Sequence, residues 1–318
     1  MSRYKVSFLI PVYNGEPYIT DCFNHILQSE LDRSEYQIIA WDDGSTDNSW
    51  KILQKFASEY DNIIVRHADN QGVAKVRNSL FQMAEGYYIW ECDIDDYVET
   101  SKIAILVDMA MENQLDVLIF DYYSINSNNE KKRCSIKYID PIYTSFLWNR
   151  LYSTDFIKKN RIGFNSDLYT GDDYIFNSLV FFYSKKKKYA SIAGYNYRYA
   201  PNSLTRNPLG LKKDIFSMMH CIDYLMSNYL KMESRKFFWI KNIVKNAMVV
   251  LVMSKKLDND TNWEIHREVS NKLEYFYSVS NNCLVKLILF CLPFFLLLNR
   301  ICDSVAWRFN KLYILFKS

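Results

Sequence analysis

Histidine is scarce in this chain of 318 residues: His25, His67, His220 and His266 are the only four, and none sits at a metal-ligand spacing. Cysteine is present but unorganised. The seven (Cys22, Cys92, Cys134, Cys221, Cys283, Cys291 and Cys302) are odd in number, scattered and without a C-x-x-C pair. That pattern excludes a disulfide scaffold, disfavours a zinc cluster and fits a reducing compartment. Eight glycines and six prolines in no repeat exclude collagen. With 49% hydrophobic and 24% charged residues, the chain is not disordered and can bury one large core or two moderate ones. No long apolar run occurs. The uncharged stretch Leu287 to Leu298 has twelve residues, whereas a membrane span needs about 20. The apolar run near the start is broken by Pro11 and lacks a small-residue cleavage site, so it predicts a buried strand rather than a signal peptide. No G-x-G-x-x-G follows that strand, which excludes a dinucleotide oxidoreductase. No basic glycine-rich loop follows it either, which argues against a nucleotidyltransferase.

The formal net charge of +3 hides one asymmetry. From Asn281 onward Lys286, Arg300, Arg308, Lys311 and Lys317 face the single acid Asp303, and Trp307 and Tyr313 accompany them. A segment near 284–316 of this kind can lie in a membrane interface; a buried hairpin or a dimer contact, broken at Pro293, is the alternative. The run Lys185 to Lys188 reads as a solvated or membrane-facing basic turn, not a nucleic-acid element.

Strand-like and helix-like stretches alternate through the first half. Val6 to Val12, Gln37 to Trp41, Ile63 to Val65, Tyr87 to Glu91 and Val117 to Asp121 predict strands. Ile19, Cys22, Phe23 and Ile26, then Leu53, Phe56, Ala57 and Tyr60, then Val73, Val76 and Leu80, recur at helical spacing. The alternation predicts an α/β fold whose mostly parallel sheet is covered on both faces, with ligands beyond the carboxyl ends of the strands. Asn126 to Arg133 reads as an exposed loop, and the run from Leu211 to Lys256 as helical. The expected division is a catalytic domain over 1–210 and a helical region over 211–318.

Four polar clusters fall at predicted strand ends. Pro11, Tyr13 and Asn14 follow the first strand and Asp42-Asp43-Gly44-Ser45-Thr46-Asp47 the second. Side by side they offer an aromatic face and a carboxylate, as a base needs for stacking and for an acceptor opposite its ring N–H; turn and cap roles are compatible with this. Asn70 to Asn78 carries Gly72, which can open a helix toward an anion, and Arg77, whose place on the inward stripe requires an acid or a phosphate. In Asp93-Ile94-Asp95-Asp96 the carboxylates at i and i+2 can share one hard cation, Mg2+ or Mn2+, completed by substrate phosphates. Gly171-Asp172-Asp173 places two carboxylates beside apolar residues, where desolvation suits a general base and a helix N-cap is the bland reading.

In their order these segments, together with Val6-Ser7-Phe8-Leu9-Ile10-Pro11-Val12-Tyr13-Asn14, resemble the family 2 glycosyltransferases, inverting enzymes of the GT-A fold that use nucleotide-diphosphate sugars. The likeness covers roughly residues 1–210. It implies that Pro11, Tyr13 and Asp43 hold the nucleobase, Asp43 facing a uracil ring N–H. Arg77 and Asp93 would border the nucleoside and diphosphate. Asp95, with Asp93 beside it, would hold the divalent metal. Most relatives carry Glu-Asp where this chain has Asp172-Asp173, so the resemblance assigns the base to Asp173, with Asp172 second. Ser203 to Arg206 resembles a loop whose Arg206 closes over the diphosphate, and a surface arginine is the alternative. Phe146 to Tyr152 resembles the acceptor side, where Trp148 either stacks on a sugar or packs in the core. The implied partners are a UDP-sugar donor and a glycan acceptor, polyprenyl-diphosphate-linked, as in bacterial surface-polysaccharide assembly. The implied location is cytoplasmic, peripheral to the inner face of the membrane. The competing reading is a catalytically silent assembly protein that keeps the fold.

Overall fold

The computed structural model describes residues 4–136, 146–168, 171–198, 211–231 and 259–280, with positions 243, 247, 250 and 254. Arg206 and the 284–316 segment lie outside the described residues.

Four parallel strands, β1 (Tyr4–Val12), β2 (Tyr36–Asp43), β3 (Ile63–Ala68) and β4 (Gly86–Glu91), stand in the spatial order β3-β2-β1-β4. Helices α1 (Ile19–Leu27), α2 (Ser49–Glu59) and α3 (Val73–Met83) connect them. β1 and β2 are buried on both faces, as a helix-covered parallel sheet requires. Phe8 stacks on Trp90 at 5.6 Å and meets the edge of Tyr36 at 6.0 Å, all three fully buried. Each such side chain contributes about 1.5–3 kcal/mol. Pro11 lies past Leu9↔Glu91, the last β1–β4 pair, near the strand end where a missing N–H is tolerated.

α1 buries Ile19, Cys22, Phe23 and Ile26, the four positions its periodicity selects. α3 departs from its expected stripe at one place: Val76 and Leu80 are buried, but Val73, the first helical residue, is 39% exposed. At that point no preceding turn exists to pack it inward.

The sheet continues through further elements, of which the sequence pattern predicted only the strand from Val117 to Asp121. These are β5 (Tyr97–Val98), α4 (Ile103–Glu112), β6 (Val117–Ile125), β7 (Lys131–Cys134), β8 (Arg150–Ser153), α5 (Thr154–Lys159), α6 (Asp172–Tyr183) and β9 (Lys187–Arg198). The nine strands run β3-β2-β1-β4-β8-β6-β9-β5, with β7 beside β6. β8 is antiparallel to both β4 and β6, so β6 and its parallel partner β9 point the same way as β1 to β4; β5 and β7 run against them. The part of Asn126 to Arg133 expected as loop narrows to a turn, where Asn126 Oδ1 accepts from Asn128 and Glu130 N–H, before β7 starts at Lys131. Similarly, the basic run reaches into β9, with Lys187 its first residue.

The chain divides into two compact units, Met1–Ser217 and Met218–Ser318, at a point within α7 (Leu211–Lys231). In the second unit, α8 (Asn259–Ser280) buries Ile265, Val269 and Leu273 at a four-residue spacing, and Lys272 pairs with Asp223 at 2.7 Å.

Candidate active site

The registers Pro11↔Trp41, Val12↔Asp42 and Leu9↔Glu91 bring the carboxyl ends of β1, β2 and β4 to one edge of the sheet. On the β1–β2 side, two loops are stitched together. Asn14 (φ 50°) donates its N–H to Ser45 Oγ at 2.9 Å and accepts Thr46 N–H on Oδ1 at 2.9 Å. Gly15 N–H donates to Ser49 Oγ at 2.9 Å and Glu16 N–H to Asp47 Oδ2 at 3.1 Å; Glu16 Oε2 in return accepts Asn48 N–H. Asp47 Oδ1 also accepts Ser49 N–H, which caps the start of α2 from two residues away. Gly44 sits at φ 72°, and a Cβ there would lie 2.7 Å from Asn70 N, so only glycine fits this turn.

Asp42 and Asp43 face different partners. Asp42 is fully buried, bonded to Ser45 Oγ and 2.6 Å from His67 Nδ1. Asp43 accepts Gln71 N–H at 2.8 Å and Gly72 N–H at 3.0 Å. Gly72, the N-cap of α3, thus finds its anion within the chain, in Asp43. This fixes the Asp43 carboxylate where β2 ends, with Tyr13 54% exposed on the neighbouring loop and Pro11 partly exposed beneath it.

The second half is built around Arg77, whose side chain is 12% exposed. Its Nε donates to Glu91 Oε1 at 2.8 Å, Nη2 lies 3.4 Å from Asp93 Oδ1, and Nη1 lies 3.4 Å from Asp172 Oδ2. Phe164 lies under its guanidinium at 5.7 Å. The inward arginine therefore meets three acids from the end of β4, the turn after it and the start of α6. Burial works against its charge, and Glu91, Asp93, Asp172 and Asp173 outweigh that and hold Arg77 firmly protonated. Burial pushes Glu91 up to about 8 against the pull of Arg77. It also raises Asp93, with Arg77 opposing, and Asp95, which Asp93 raises further.

Asp172 and Asp173 open α6 behind Gly171, which sits at φ 83°. They part company there. Asp172 turns to Arg77 and is buried; Asp173 is partly exposed, receives Tyr174 N–H on Oδ1 at 2.6 Å, and feels Arg77 and Arg150. Arg150 is fully buried, and burial lowers it while Tyr152 and Asp173 raise it. Trp148 packs rather than projects: it is 3% exposed and stacks on Phe146 at 4.5 Å, Tyr195 at 4.6 Å and Tyr197 at 5.4 Å. Of its two readings, core packing describes it.

Among the described residues no three His, Cys, Asp or Glu side chains form a ready-made metal cage. Asp93 and Asp95 nevertheless offer hard carboxylate oxygens, and the charge of one raises the other. Two carboxylates completed by substrate phosphates are a donor set that suits Mg2+ or Mn2+, so these residues fit such an ion.

Three residues of the site were not singled out in the sequence. Glu91 ends an apolar strand and shows no pattern; its one signal is an acid at the end of the run Tyr88-Ile89-Trp90, all buried. Tyr195 and Arg198 on β9 reach the Asp93–Asp96 turn, where the Tyr195 hydroxyl accepts Asp93 N–H at 3.0 Å. Only tertiary structure reveals those contacts.

The chain is 30% identical over 223 residues to the uncharacterized glycosyltransferase EpsJ of Bacillus subtilis, a stretch that is 64% of this chain and 63% of that protein. It is 29% identical over 204 residues to the poly(ribitol-phosphate) beta-glucosyltransferase of Bacillus spizizenii, covering 61% of this chain and 32% of that one. The chain thus spans between about a third and two thirds of these relatives' lengths. In structure it superposes on residues 1–349 of S. aureus TarS in complex with UDP-GlcNAc with a TM-score of 0.70 at 20% identity, over 85% of this chain and 80% of that one. That likeness establishes the GT-A fold. The family model described as glycosyl transferase family 2 matches residues 7–178, more than half of the chain and every acid of the site just described, and the protein belongs to that family.

Proposed function

We propose that the chain is an inverting glycosyltransferase that moves a sugar from a UDP-sugar to a hydroxyl of a glycan acceptor in bacterial surface-polysaccharide synthesis. The observation that carries this reading is the convergence of Arg77, Glu91, Asp93 and Asp172 at the end of β4, with Asp173 partly exposed beside them. Relatives named for glucosyl and N-acetylglucosaminyl transfer to poly(ribitol-phosphate), and a structural neighbour in complex with UDP-GlcNAc, support the donor and acceptor classes.

Tyr13 and Pro11 flank the nucleobase and Asp43 accepts its ring N–H, using lone pairs beyond those given to Gln71 and Gly72. Asp93 and Asp95 hold Mg2+ or Mn2+, which when bound offsets charge on the leaving diphosphate. Arg77, with its donors on Glu91, Asp93 and Asp172, keeps the diphosphate side and α6 in fixed relation. Asp173 takes the acceptor hydroxyl proton as that oxygen bonds to the anomeric carbon and the carbon–phosphate oxygen bond breaks on the opposite face. A carboxylate is too weak to ionise an alcohol beforehand, so proton transfer accompanies an oxocarbenium-like transition state. One displacement inverts the anomeric centre. The same reading assigns a diphosphate-binding role to Arg206 and association with the inner membrane face, where a polyprenyl-diphosphate-linked acceptor is presented, to the 284–316 segment; both lie outside the described residues. Among the described residues no helix is long and apolar enough to cross a membrane.

The test is release of nucleoside diphosphate from a panel of nucleotide sugars with Mn2+, for wild type, Asp95→Ala and Asp173→Asn. Release from one donor, lost in both variants, is the expected result. No release from any donor, with membrane lipid extract supplied as acceptor, would return the chain to the silent-assembly reading.

A further inference from the structure

The turn Asp93-Ile94-Asp95-Asp96 gathers three carboxylates in four residues, with no proline to stiffen it. From inside it is closed by a single bond, Asp96 N–H to Asp93 O at 3.1 Å. Outside the turn, Arg77 of α3 holds Asp93, and further support comes from β9. Arg198 donates Nε to the Asp95 carbonyl at 2.8 Å and Nη2 to the Asp96 carbonyl at 3.4 Å, while its own N–H donates to Asp96 Oδ1 at 2.7 Å. The far end of the guanidinium is pinned as well: Nη1 pairs with Asp21 Oδ2 of α1 at 2.8 Å, and the plane lies 4.6 Å over the Tyr97 ring.

The division of labour in this turn is specific. Asp96 is 1% exposed and spends its Oδ1 on β9. The guanidinium binds carbonyls, not carboxylates, within the turn, so the Asp95 side chain stays outside the clamp while its main chain is fixed. A planar fork is needed to reach two carbonyls and Asp21 at once; an ammonium at the same place cannot span them.

We infer that Arg198 is a positioning residue that aims the Asp95 carboxylate by clamping the backbone of its turn to α1 and β9. The inference rests on the proposed reading of Asp93 and Asp95 as the metal-holding pair. A merely structural arginine would anchor the end of β9 and leave metal-dependent binding alone.

The two roles separate in a binding experiment. UDP, GDP, ADP and CDP are titrated calorimetrically into wild type, Arg198→Lys and Asp21→Asn, each with Mn2+ and with EDTA, and Tm is recorded for each protein. The readout is the gain in affinity that Mn2+ confers. Arg198→Lys is expected to cut that gain about tenfold or more, as loss of a group that orients a metal ligand does, and Asp21→Asn to cut it less, with binding in EDTA unchanged in both. An unchanged gain in Arg198→Lys, at whatever Tm, overturns the inference. A wild type that binds none of the four diphosphates more tightly with Mn2+ overturns the reading of Asp93 and Asp95 first, and the inference with it. Should Arg198→Lys not fold, the Asp21→Asn ratio decides alone: a gain equal to wild type counts against the clamp.

Discussion

The two halves of the site handle buried acid in opposite ways. Where β1 and β2 end, the carboxylates are satisfied mainly by neutral donors: Asp43 by two backbone N–H groups, Asp47 by two more, and Asp42 by the Ser45 hydroxyl, with the His67 ring beside it. Where β4 ends, three acids share one guanidinium, and burial pushes Glu91 up to about 8 and raises Asp93 and Asp95. The first arrangement shapes two loops into a preformed rim. The second crowds acids whose charge burial penalises at the place where, in the proposed reaction, a cation and a diphosphate must come together. A fully satisfied region gains little electrostatically from a ligand; an under-compensated one gains a great deal.

Arg77→Met leaves the buried Glu91 and Asp172 and the half-buried Asp93 without their cation, and a loss of about 3–5 kcal/mol in unfolding free energy is expected. Denaturant unfolding checks it; an unchanged midpoint would show that the acids are not in fact tied through Arg77. In the neutral half, Asp43→Asn keeps the shape but turns one acceptor into a donor facing Gln71 or Gly72 N–H. The cost should be about 1–3 kcal/mol, accompanied by a raised donor KM with kcat held, measurable by steady-state kinetics. The smallest effect belongs to the stitching between loops. Asn14→Ala removes the acceptor of Thr46 N–H, for which about 1 kcal/mol is expected. Since Asn14 has φ 50°, Asn14→Gly should recover part of that by relieving the backbone, and thermal melts of the two variants sharpen the point.

How much of this the sequence reveals follows the same division between local and tertiary signals. α1 is readable to the residue, because its apolar stripe is decided by local periodicity and the sheet it covers is continuous. β1 and β2 are readable because apolar runs buried on both faces look alike wherever they occur, and β4 and the first three residues of β3 because they too are apolar runs. β7, β8 and β9 are not: the first two have four residues each, and β9 begins with exposed lysines whose pairing with β6 is invisible to a short window. Arg77 announces its need for a counter-charge from its helical stripe alone. Which acids meet it depends on β4 and α6 arriving together. Trp148 shows the limit from the other side, since an aromatic beside a sugar and an aromatic in a stack of four rings have the same sequence signature.

The adjacent acids Asp172 and Asp173 are where the account is most exposed. Asp172 is committed to Arg77, and Asp173 is the carboxylate left at the edge of the cluster. The most direct measurement is steady-state sugar transfer by Asp172→Asn and Asp173→Asn side by side, with kcat and donor KM separated. Asp173→Asn should lose about 10²–10⁴ in kcat, the usual worth of a general base, with donor KM close to wild type. Asp172→Asn should keep most of its kcat and lose stability and donor affinity instead. The reverse pattern, with kcat collapsing in Asp172→Asn and surviving in Asp173→Asn, would contradict the account.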